Sequence, residues 1–440
     1  MPGGLLQLAA YGAQDLYLTG NPQMSFFISV YKRHTNFALE SINQKFIGDN
    51  GFGNKLNCII DRVGDLITQV FLDVKIPSLE NLEKEIDNTD KFVGWINNLG
   101  FSLIEYVEIE IGGTVIDKQY GLWMGIWYEL TTPKSKRYGG DILVGIDGLN
   151  KNQPLLRNKS YHLHIPLYFW FCRHEGLALP LIALQYHEVR INVKFRKLDD
   201  LWQSLDGEFN QDICTELCKS KYDIQESSLY IDYIYLENEE RKLFVQRKHN
   251  YLIEQIQMNE EKFNSKEPNI RFTMDFCHPV KELIWIIQNE DNLIKNTDNN
   301  PKGNEWFNFS DRSYSSMIGP AGGDSPTDPL IHAELEIEGN YRFEKRNGQY
   351  FRLVQPFQRH TVTPELFTYM YSFALHPEEL QPSGTCNFSR IDNAVLKMKI
   401  VDVNEDDNTI YLKNPHIIMF AMNYNVLQIA SGMGGLAYMN

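Results

Sequence analysis

The chain carries one seven-residue pattern in each of its halves, and this repeat constrains the fold more than any other feature. NFALESI occupies residues 36–42 and NYLIEQI occupies residues 250–256, so the second begins 214 residues after the first (250 minus 36) in a chain of 440. Further paired blocks follow in one order, with offsets between 202 and 226 residues. Blocks that keep their order while their spacing varies indicate a duplicated domain, because loops tolerate insertions and paired strands do not.

The paired blocks read as short strands. NKLNCIIDRVGDLITQVFLDV pairs with NIRFTMDFCHPVKELIWIIQ, VEIEIGGTVIDKQYG with AELEIEGNYRFEKRNGQYF, YFWFCRHEGLALP with MYSFALHPEELQP, and VRINVKF with VLKMKIV. Apolar and polar residues alternate in these blocks, and Gly113 and Gly339 stand at corresponding turns. Roughly eight such runs per half predict an all-β fold of two tandem eight-stranded jelly-roll sandwiches, with short helices and long loops. The better helical candidates are GLWMGIWYEL (from Gly121) and ENEERKLFVQR (from Glu237).

The repeat also predicts the domain organisation. We expect an N-terminal arm at residues 1–24, a first jelly roll at 25–238, a linker at 239–248 and a second jelly roll at 249–440. Two polar insertions, which begin at Thr131 and Glu290, are too long for hairpin loops. We expect them to project from one end of the molecule, as exposed surface or as disordered decoration.

Composition excludes several classes of protein. The net charge of −15 disfavours direct binding to nucleic acid, whose phosphates would be repelled. The N-terminus lacks the pattern of a secretory signal, and no apolar run is long enough to predict a membrane span. Six scattered cysteines, of which only Cys214 and Cys218 are close, predict reduced thiols. Without a secretory signal, the glycosylation sequons at Asn158, Asn308 and Asn387 are interpreted as chance matches.

One histidine pair is the strongest candidate for a metal site. His162 and His164 would point to the same face of a strand, but no acidic or cysteine ligand lies beside them in sequence. His174, Glu175 and His187 could join them in space. Ordinary packing or surface placement is the preferred interpretation, so no metal ligand is assigned.

Other candidate motifs have simpler interpretations. The glycine pairs at 112–113 and 322–323 indicate turns, and the acidic run Asp402, Glu405, Asp406 and Asp407 lacks the spacing of a calcium loop. The basic residues of 134–138 are too few to offset the net charge. We therefore predict that the chain has no catalytic, cofactor-binding or metal-binding residues and is not an enzyme.

Four longer stretches carry a family resemblance. They are GGLLQLAAYGAQDLYLTGNPQMSFFISVYKRHTNFALESI (3–42), GLALPLIALQYHEVRI (176–191), PSGTCNFSRIDNAVL (382–396) and NYNVLQIASGMGGLAYMN (423–440). These stretches resemble the major capsid proteins of large icosahedral double-stranded DNA viruses, of the algal-virus and giant-virus type. The resemblance implies a double jelly-roll structural subunit, of which three copies would form a pseudo-hexagonal capsomer in an icosahedral shell.

The resemblance also implies partners and a location. The expected partners are further copies of the chain in a homotrimer, neighbouring capsomers, minor capsid or penton proteins and, for the arm Leu5–Gln23, an inner membrane face. The expected location is the virion, with synthesis and assembly in the host cytoplasm. Deletion of residues 1–23 is expected to leave both sandwiches folded and to impair shell assembly. The glycine-rich segment 431–435 is expected to lie against another surface, with a mobile terminus as the alternative.

Two alternatives stay open at this point. Loop positions are predicted for Trp123, Trp127, Trp306 and Tyr314, and aromatic faces there would suit a glycan-binding β-sandwich. A cupin-like jelly-roll enzyme is the second alternative, and it would require a metal cluster.

Overall fold

Alternating apolar residues form strands in both halves of the chain. Strands of the first half are β1 (Phe37–Lys45), β2 (Lys55–Ile59), β3 (Leu66–Ile76), β4 (Val93–Trp95), β5 (Ile104–Ile111), β6 (Thr114–Tyr120), β7 (Tyr161–Pro166), β8 (Leu179–Pro180), β9 (Val189–Phe195), β10 (Trp202–Ser204) and β11 (Glu226–Leu236). Strands of the second half are β12 (His249–Lys262), β13 (Asn269–Thr273), β14 (Pro279–Gln288), β15 (Leu330–Ile337), β16 (Asn340–Asn347), β17 (Thr368–Ser372), β18 (Cys386–Asn387), β19 (Ala394–Ile400), β20 (His416–Ala430) and β21 (Met433–Leu436).

This computed structural model describes residues 2–23, 26, 33–79, 93–146, 159–204, 222–264, 268–293, 303–311, 328–401, 412 and 414–438. They fall into two units, Met1–Phe37 and Ala38–Asn440. The first unit contains the short helices Gly3–Ala9 and Leu16–Thr19. The second unit contains both sandwiches.

Four main sheets have the same strand order in each half. Sheet 1 has the order β1-β11-β3-β7, with β8 beside β3, and sheet 2 has the order β2-β9-β5-β6. Sheet 3 has the order β12-β20-β14-β17, with β18 and β21 attached, and sheet 4 has the order β13-β19-β15-β16. In each half, the first strand pairs with the last main strand and the second with the one before it. The predicted double jelly roll is therefore confirmed.

Each sandwich has a core between its own two sheets. Ile191, Val193 and Phe195 of β9 are fully buried in the first sandwich. The corresponding alternating residues of β19, Leu396 and Met398, are buried in the second. Burial of one such side chain stabilises the fold by about 1.5–3 kcal/mol, so the period-two pattern drives the sheets together.

A two-residue turn recurs at the same place in both halves. Gly112 and Gly113 join β5 to β6 with φ angles of 60° and 82°, and Glu338 and Gly339 join β15 to β16 with φ angles of 49° and 75°. Two successive positive φ angles match the right-handed twist of a tight hairpin. The predicted turn at Gly113 and Gly339 is confirmed. The pair Gly112 and Gly113 supplies the positive φ angles that this turn requires.

The helices are short. The main helical segments are Leu99–Leu103, Gly121–Thr131, Lys134–Val144, Trp170–Arg173, Asn238–Gln246, Glu290–Leu293 and Gln355–Arg359, and the last continues a π-helical turn at Tyr350–Val354. Both helical candidates from the sequence are confirmed, at Gly121–Thr131 and at Asn238–Gln246.

The opening part of the first insertion is an ordered helix with several exposed residues, which agrees with exposed surface and not with disordered decoration. Lys134–Val144 is helical, and Gly145 ends it in the left-handed conformation with its N–H directed at Ile142 O. Val144 is fully buried, so this end of the helix is anchored in the core. Residues 147–158 lie outside the described part of the chain.

The alignment of the two sequence halves predicts the order of the strands correctly. At two places it pairs residues that do not occupy equivalent positions in the two sandwiches. Ile42 shares a face of β1 with Gln44, which bonds core Tyr233, whereas Ile256 shares a face of β12 with Glu254, which contacts Arg173 of the other half. A one-residue slip reverses the faces of a strand, so the matching letters of the two heptads point in different directions.

The second register error concerns the block MYSFALHPEELQP. Its opening residues form β17, whereas the matched YFWFCRHEGLALP begins at Tyr168, after β7 has ended at Pro166. The strand that corresponds to β17 in the sheet order is β7.

Among the described residues, no helix combines the length and the apolar character needed to cross a bilayer.

Candidate functional site: a covered sheet and an open sheet

Sheet 3 is covered on both faces within one chain. One face packs against sheet 4 through Leu283, Trp285 and Ile287 of β14. On the alternate positions, Ile284 and Ile286 are buried together with core residues of the first half. The second sandwich is therefore docked on the first through an apolar sheet face.

Strand β6 forms the edge of this contact. Asp117 of β6 accepts a hydrogen bond from Ile256 N at 3.1 Å, and Gln255 donates to the Ile116 carbonyl. The Tyr120 ring lies 6.3 Å from that of Phe420. Burial raises the pKa of Asp117 to about 6, against the opposing effect of its hydrogen bonds.

A charged group is buried in the same contact. The Glu254 carboxylate bonds both Arg173 and Lys281, and the Lys281 side chain is buried. Burial lowers the pKa of Lys281, while Glu254 opposes that shift. The Arg173 guanidinium also lies 4.7 Å from the centre of the Trp127 ring. One carboxylate thus forms ion pairs with cations from both sandwiches.

A buried histidine adds a second ionic group at this boundary. His360 bonds Glu378 at 2.8 Å through Nδ1 and Glu282 at 3.0 Å through Nε2. Its ring meets Trp127 of the first half edge-to-face. Burial alone lowers the pKa of His360, but Glu282 and Glu378 more than offset this and raise it to about 9. The imidazolium form is therefore held between two carboxylates.

Two of the three tryptophans assigned to loops lie in a helix, and Trp306 lies in an irregular segment. Trp123 and Trp127 belong to the buried helix Gly121–Thr131 and stack on each other, so that assignment is wrong. Trp306 packs against the Arg196 guanidinium and donates to Asp200 O at 2.9 Å. Tyr314 lies outside the described residues.

Part of the second insertion is also buried. Within 303–311, Phe307 packs where a side chain on Gly125 would stand, and Asn308 is buried. Expected exposure is thus wrong for this part of the insertion, because its aromatic residues fill space beside a helix. Burial also removes the Asn308 sequon from the surface, whereas Asn387 is exposed and Asn158 lies outside the described residues.

Among the described residues, sheet 1 has no such cover over most of its outward face. Glu226 and Ser228 of β11 alternate with buried residues and point away from the core, as do Asp73 and Lys75 of β3. At the edge strand β1, Leu39 is 61% exposed. Phe244 of the helix Asn238–Gln246 packs at one end, against Leu66 and Ile234. Within the described part of the chain, the remaining face carries polar and charged side chains together with Phe71 and Tyr230, most of them partly exposed.

The predicted histidine pair lies on this open face. His162 and His164 of β7 point outward, and both bond Asp73 Oδ1, at 2.7 Å and 2.9 Å. Asp73 is the cross-strand partner of His164. Sequence reasoning missed Asp73 because it lies 89 residues from His162 and becomes a neighbour only through strand pairing.

The other candidate ligands do not join this group. His174 Nδ1 accepts from Gly176 N at 2.9 Å, and His187 Nδ1 contacts Gly434 O at 2.9 Å. The acidic run 402–407, the glycine pair 322–323, Cys214 and Cys218 lie outside the described residues. Cys58, Cys172, Cys277 and Cys386 are free thiols.

The helical segment after β16 is the counterpart of the one after β6, and it is exposed. Both follow the fifth main strand of a jelly roll. The helix after β6 is buried, whereas Phe357 in the helix after β16 is 82% exposed and Leu353 and Val354 are each about two-fifths exposed. Tyr341 on β16 is also exposed. These four exposed apolar side chains, on β16 and on the helical segment after it, are together called the β16 surface below.

The basic residues of 134–138 and the C-terminal glycines also have defined places. Arg137 lies 3.9 Å from Glu129 and is mostly buried, whereas Lys134 and Lys136 are exposed. The glycine-rich tail forms β21, which pairs with β20, and Tyr186 N donates to Gly432 O at 2.9 Å. Within the described residues, the tail is laid against the chain itself, as the first of the two expectations had it.

Two family models match the chain in sequence order. One, the major capsid protein N-terminus, covers residues 25–237, and the other, the large eukaryotic DNA virus major capsid protein, covers residues 240–435. The chain belongs to this major capsid protein family. Its role is thus that of a capsid subunit of large eukaryotic double-stranded DNA viruses, and the glycan-binding alternative finds no support.

Individual relatives agree over their full length. The major capsid protein of Pyramimonas orientalis virus is 40% identical over 466 residues, and that of Paramecium bursaria Chlorella virus 1 is 37% identical over 467 residues, with 100% of both chains covered in each case. Among solved structures, the quasi-atomic model of the PBCV-1 virus capsid has a TM-score of 0.74 at 32% identity, covering 94% of this chain and 100% of that one. The Faustovirus major capsid protein shares the fold, with a TM-score of 0.72 at 14% identity over 97% of this chain and 96% of that one. Major capsid proteins are virion components, and the family is a structural one.

Proposed function

We propose that three copies of this chain form a pseudo-hexagonal capsomer by repeating, between chains, the contact that joins the two sandwiches within each chain. The supporting observation is the asymmetry of the two outward sheet faces. Sheet 3 is covered by β6 and the helix Gly121–Thr131, whereas sheet 1, its counterpart, is open. The β16 surface is the counterpart of the covering elements, and no residue that the structure describes covers it. If the β16 surface of one chain packs on sheet 1 of the next chain, each of these two exposed surfaces covers the other.

Closure after three chains follows from this repetition. If each sandwich relates to the next by about one sixth of a turn, two sandwiches per chain and three chains complete a ring. A ring of six similar wedges tiles a near-flat lattice, which is the requirement of an icosahedral facet.

Charge supports the same pairing. Exposed residues of β16 include the cations Arg342, Lys345 and Arg346 with the single carboxylate Glu344. The open face of sheet 1 carries the carboxylates Asp73, Asp232 and Glu226 with the cations Lys45 and Lys75. Opposite signs across an interface steer association and select the register. The contact is therefore expected to weaken as salt concentration rises.

The finer assignments form part of this proposal. The chain divides into an arm at 1–24, sandwiches at 25–238 and 249–440 and a linker at 239–248, which the two consecutive family matches support. The arm contacts neighbouring capsomers, minor capsid proteins or an inner membrane face, and assembly takes place in the host cytoplasm. The chain catalyses no reaction, in keeping with a structural family.

Light scattering after gel filtration tests the trimer. The chain has a mass of 51.2 kDa, and the expected particle has about three times that mass. Phe357→Asp places a charge in the centre of the β16 surface and is expected to yield folded monomers. Ile142→Asp is the matched control, since Ile142 is an exposed apolar residue on a different helix.

Each outcome bears on a separate part of the proposal. A monomeric parent protein would contradict trimer formation by the chain alone. A parent trimer that Phe357→Asp leaves intact would contradict the assigned contact. Dissociation by both variants would show that the effect is not specific to the β16 surface.

A further inference from the structure

The group Asp73, His162 and His164 has the composition and spacing of a three-ligand metal site. Asp73 Oδ1, His162 Nε2 and His164 Nδ1 all lie within 4.8 Å of one another. In a tetrahedral zinc site, bonds of about 2.0–2.1 Å place neighbouring ligand atoms about 3.3 Å apart. The two hydrogen-bond distances to Asp73, 2.7 Å and 2.9 Å, would need to open by only about half an ångström to reach that spacing.

Strand geometry holds the three side chains on one face. His162 and His164 are two residues apart on β7, so both point to the same side of the sheet. Asp73 reaches them from the directly paired strand β3. The backbone hydrogen bonds of the two strands therefore preorganise the group, and metal binding would require only small side-chain movements.

The surroundings favour a cation. Lys75, the nearest basic neighbour on β3, is engaged by Glu226 at 2.9 Å, so its charge is matched by a separate carboxylate. Asp73 keeps a negative charge for the group itself. The histidine side chains are 50% and 38% exposed, which leaves an approach from solvent and room for a water or another ligand at an open position.

We propose that Asp73, His162 and His164 bind one divalent transition-metal ion of the zinc class. Two imidazole nitrogens select zinc, cobalt or nickel over calcium and magnesium, which prefer oxygen ligands. The ion would join the edge strand β7 to β3. This proposal departs from the sequence-based expectation of no metal ligand, since the third ligand comes from strand pairing.

All three ligands belong to one chain, so metal binding does not require the trimer, although the proposed trimer contact would cover this face of sheet 1. Metal binding and particle mass can therefore be measured on the same sample and can fail separately.

The test is isothermal titration of the full-length protein with zinc chloride, after treatment with a chelator and dialysis. We expect one zinc ion per chain with a dissociation constant in the micromolar range or below, and no comparable binding of calcium or magnesium. Cobalt(II) added in place of zinc is expected to give the visible absorption of a nitrogen- and oxygen-ligated ion of low coordination number.

Single-ligand variants define the site. Asp73→Asn and His162→Gln are each expected to weaken zinc binding at least tenfold and to reduce the cobalt absorption. His376→Gln is the matched control, because His376 is exposed on the other sandwich. Thermal unfolding of each metal-free variant checks that the fold is retained.

Three outcomes would overturn the proposal. They are an absence of stoichiometric zinc binding, binding that survives both ligand variants in folded protein, and equal loss of binding in the His376→Gln control. In each case Asp73 would be only a hydrogen-bond acceptor shared by two surface histidines.

Discussion

Sheets 1 and 3 share one strand order and have opposite outward faces. Sheet 3 presents isoleucine, phenylalanine and methionine side chains, including Ile286 and Phe420, and all of them are buried against the other sandwich. Sheet 1 presents carboxylates, histidines and a lysine that remain accessible. Identical topology therefore does not fix the chemistry of a surface.

In the proposed trimer, the difference reflects when each face meets its partner. A contact within one chain forms during folding and is permanent, so it can be as apolar as a core. A face that meets another chain must stay soluble until assembly, which favours polar and charged residues. The duplicated domain thus keeps one backbone and uses two surface chemistries.

One of the two largest effects is expected where the covered contact contains charge. Glu254→Gln removes the only carboxylate that bonds both Arg173 and Lys281 among the described contacts, and it leaves two buried cations poorly matched. We expect a loss of about 3–5 kcal/mol in the free energy of unfolding, measured with guanidinium chloride.

Glu226→Gln is the control for this variant on the open sheet. It also breaks a carboxylate–lysine pair, with Lys75, but in solvent. No measurable change in stability is expected. Equal losses in the two variants would contradict the distinction between covered and open faces.

Truncation of one apolar residue on each sheet tests the same distinction without charge. Phe420→Ala empties a fully buried position beside Tyr120 and is expected to cost about 3–5 kcal/mol. Leu39→Ala, at the exposed edge strand, is expected to change monomer stability by less than about 0.5 kcal/mol. Thermal or chemical unfolding provides the comparison. A large loss at Leu39 in the monomer would show that sheet 1 is covered by the chain itself.

The pH dependence of stability tests the buried histidine at the covered contact. The folded pKa of His360, raised to about 9, lies above its ordinary value of 6.5. The folded protein therefore binds more protons than the unfolded chain between these pH values. The stabilisation is complete below about pH 6.5 and is lost as pH rises through about 9, by up to about 3 kcal/mol. Unfolding experiments across this range measure the slope.

His360→Gln is the control for the slope. It removes the titrating ring, so the free energy of unfolding should depend less on pH between about 6.5 and 9 than in the parent protein. Parallel profiles would contradict the assignment to His360.

The smallest effect is expected from one methyl group in the contact. A Cβ at Gly125 would stand 2.3 Å from the Phe307 ring, so Gly125→Ala is expected to destabilise the protein by about 1–3 kcal/mol. Gly139, also in a helix, has open space around it, and Gly139→Ala is expected to stabilise by about 0.5–1 kcal/mol. Opposite shifts in the unfolding midpoint are the expected readout. Shifts of the same sign would contradict close packing at Gly125.

Local patterns predicted the strands and turns, and long-range pairing set the rest. Alternation located β9 and β19, and Gly113 and Gly339 marked equivalent hairpins, because both signals depend only on nearby residues. The direction of the heptad residues was not predictable, because one inserted residue reverses every side chain along a strand.

Burial and the histidine group show the same limit. The sequence shows that Trp123 and Trp127 are large aromatic residues. Their burial depends on the docking of the second sandwich, which the sequence does not show. The partnership of Asp73 with His162 depends on the pairing of β3 with β7, which no spacing along the chain reveals.

The contact of the C-terminal hairpin with the first sandwich can form only late in synthesis. His187 is held by Gly434, 247 residues later in the chain. At a translation rate of about 5–20 residues per second, roughly 12–50 seconds separate the emergence of the two residues from the ribosome. During that interval the nascent first sandwich displays the apolar surface that sheet 3 will cover. The period of greatest aggregation risk for this chain therefore falls before its last strand has been made.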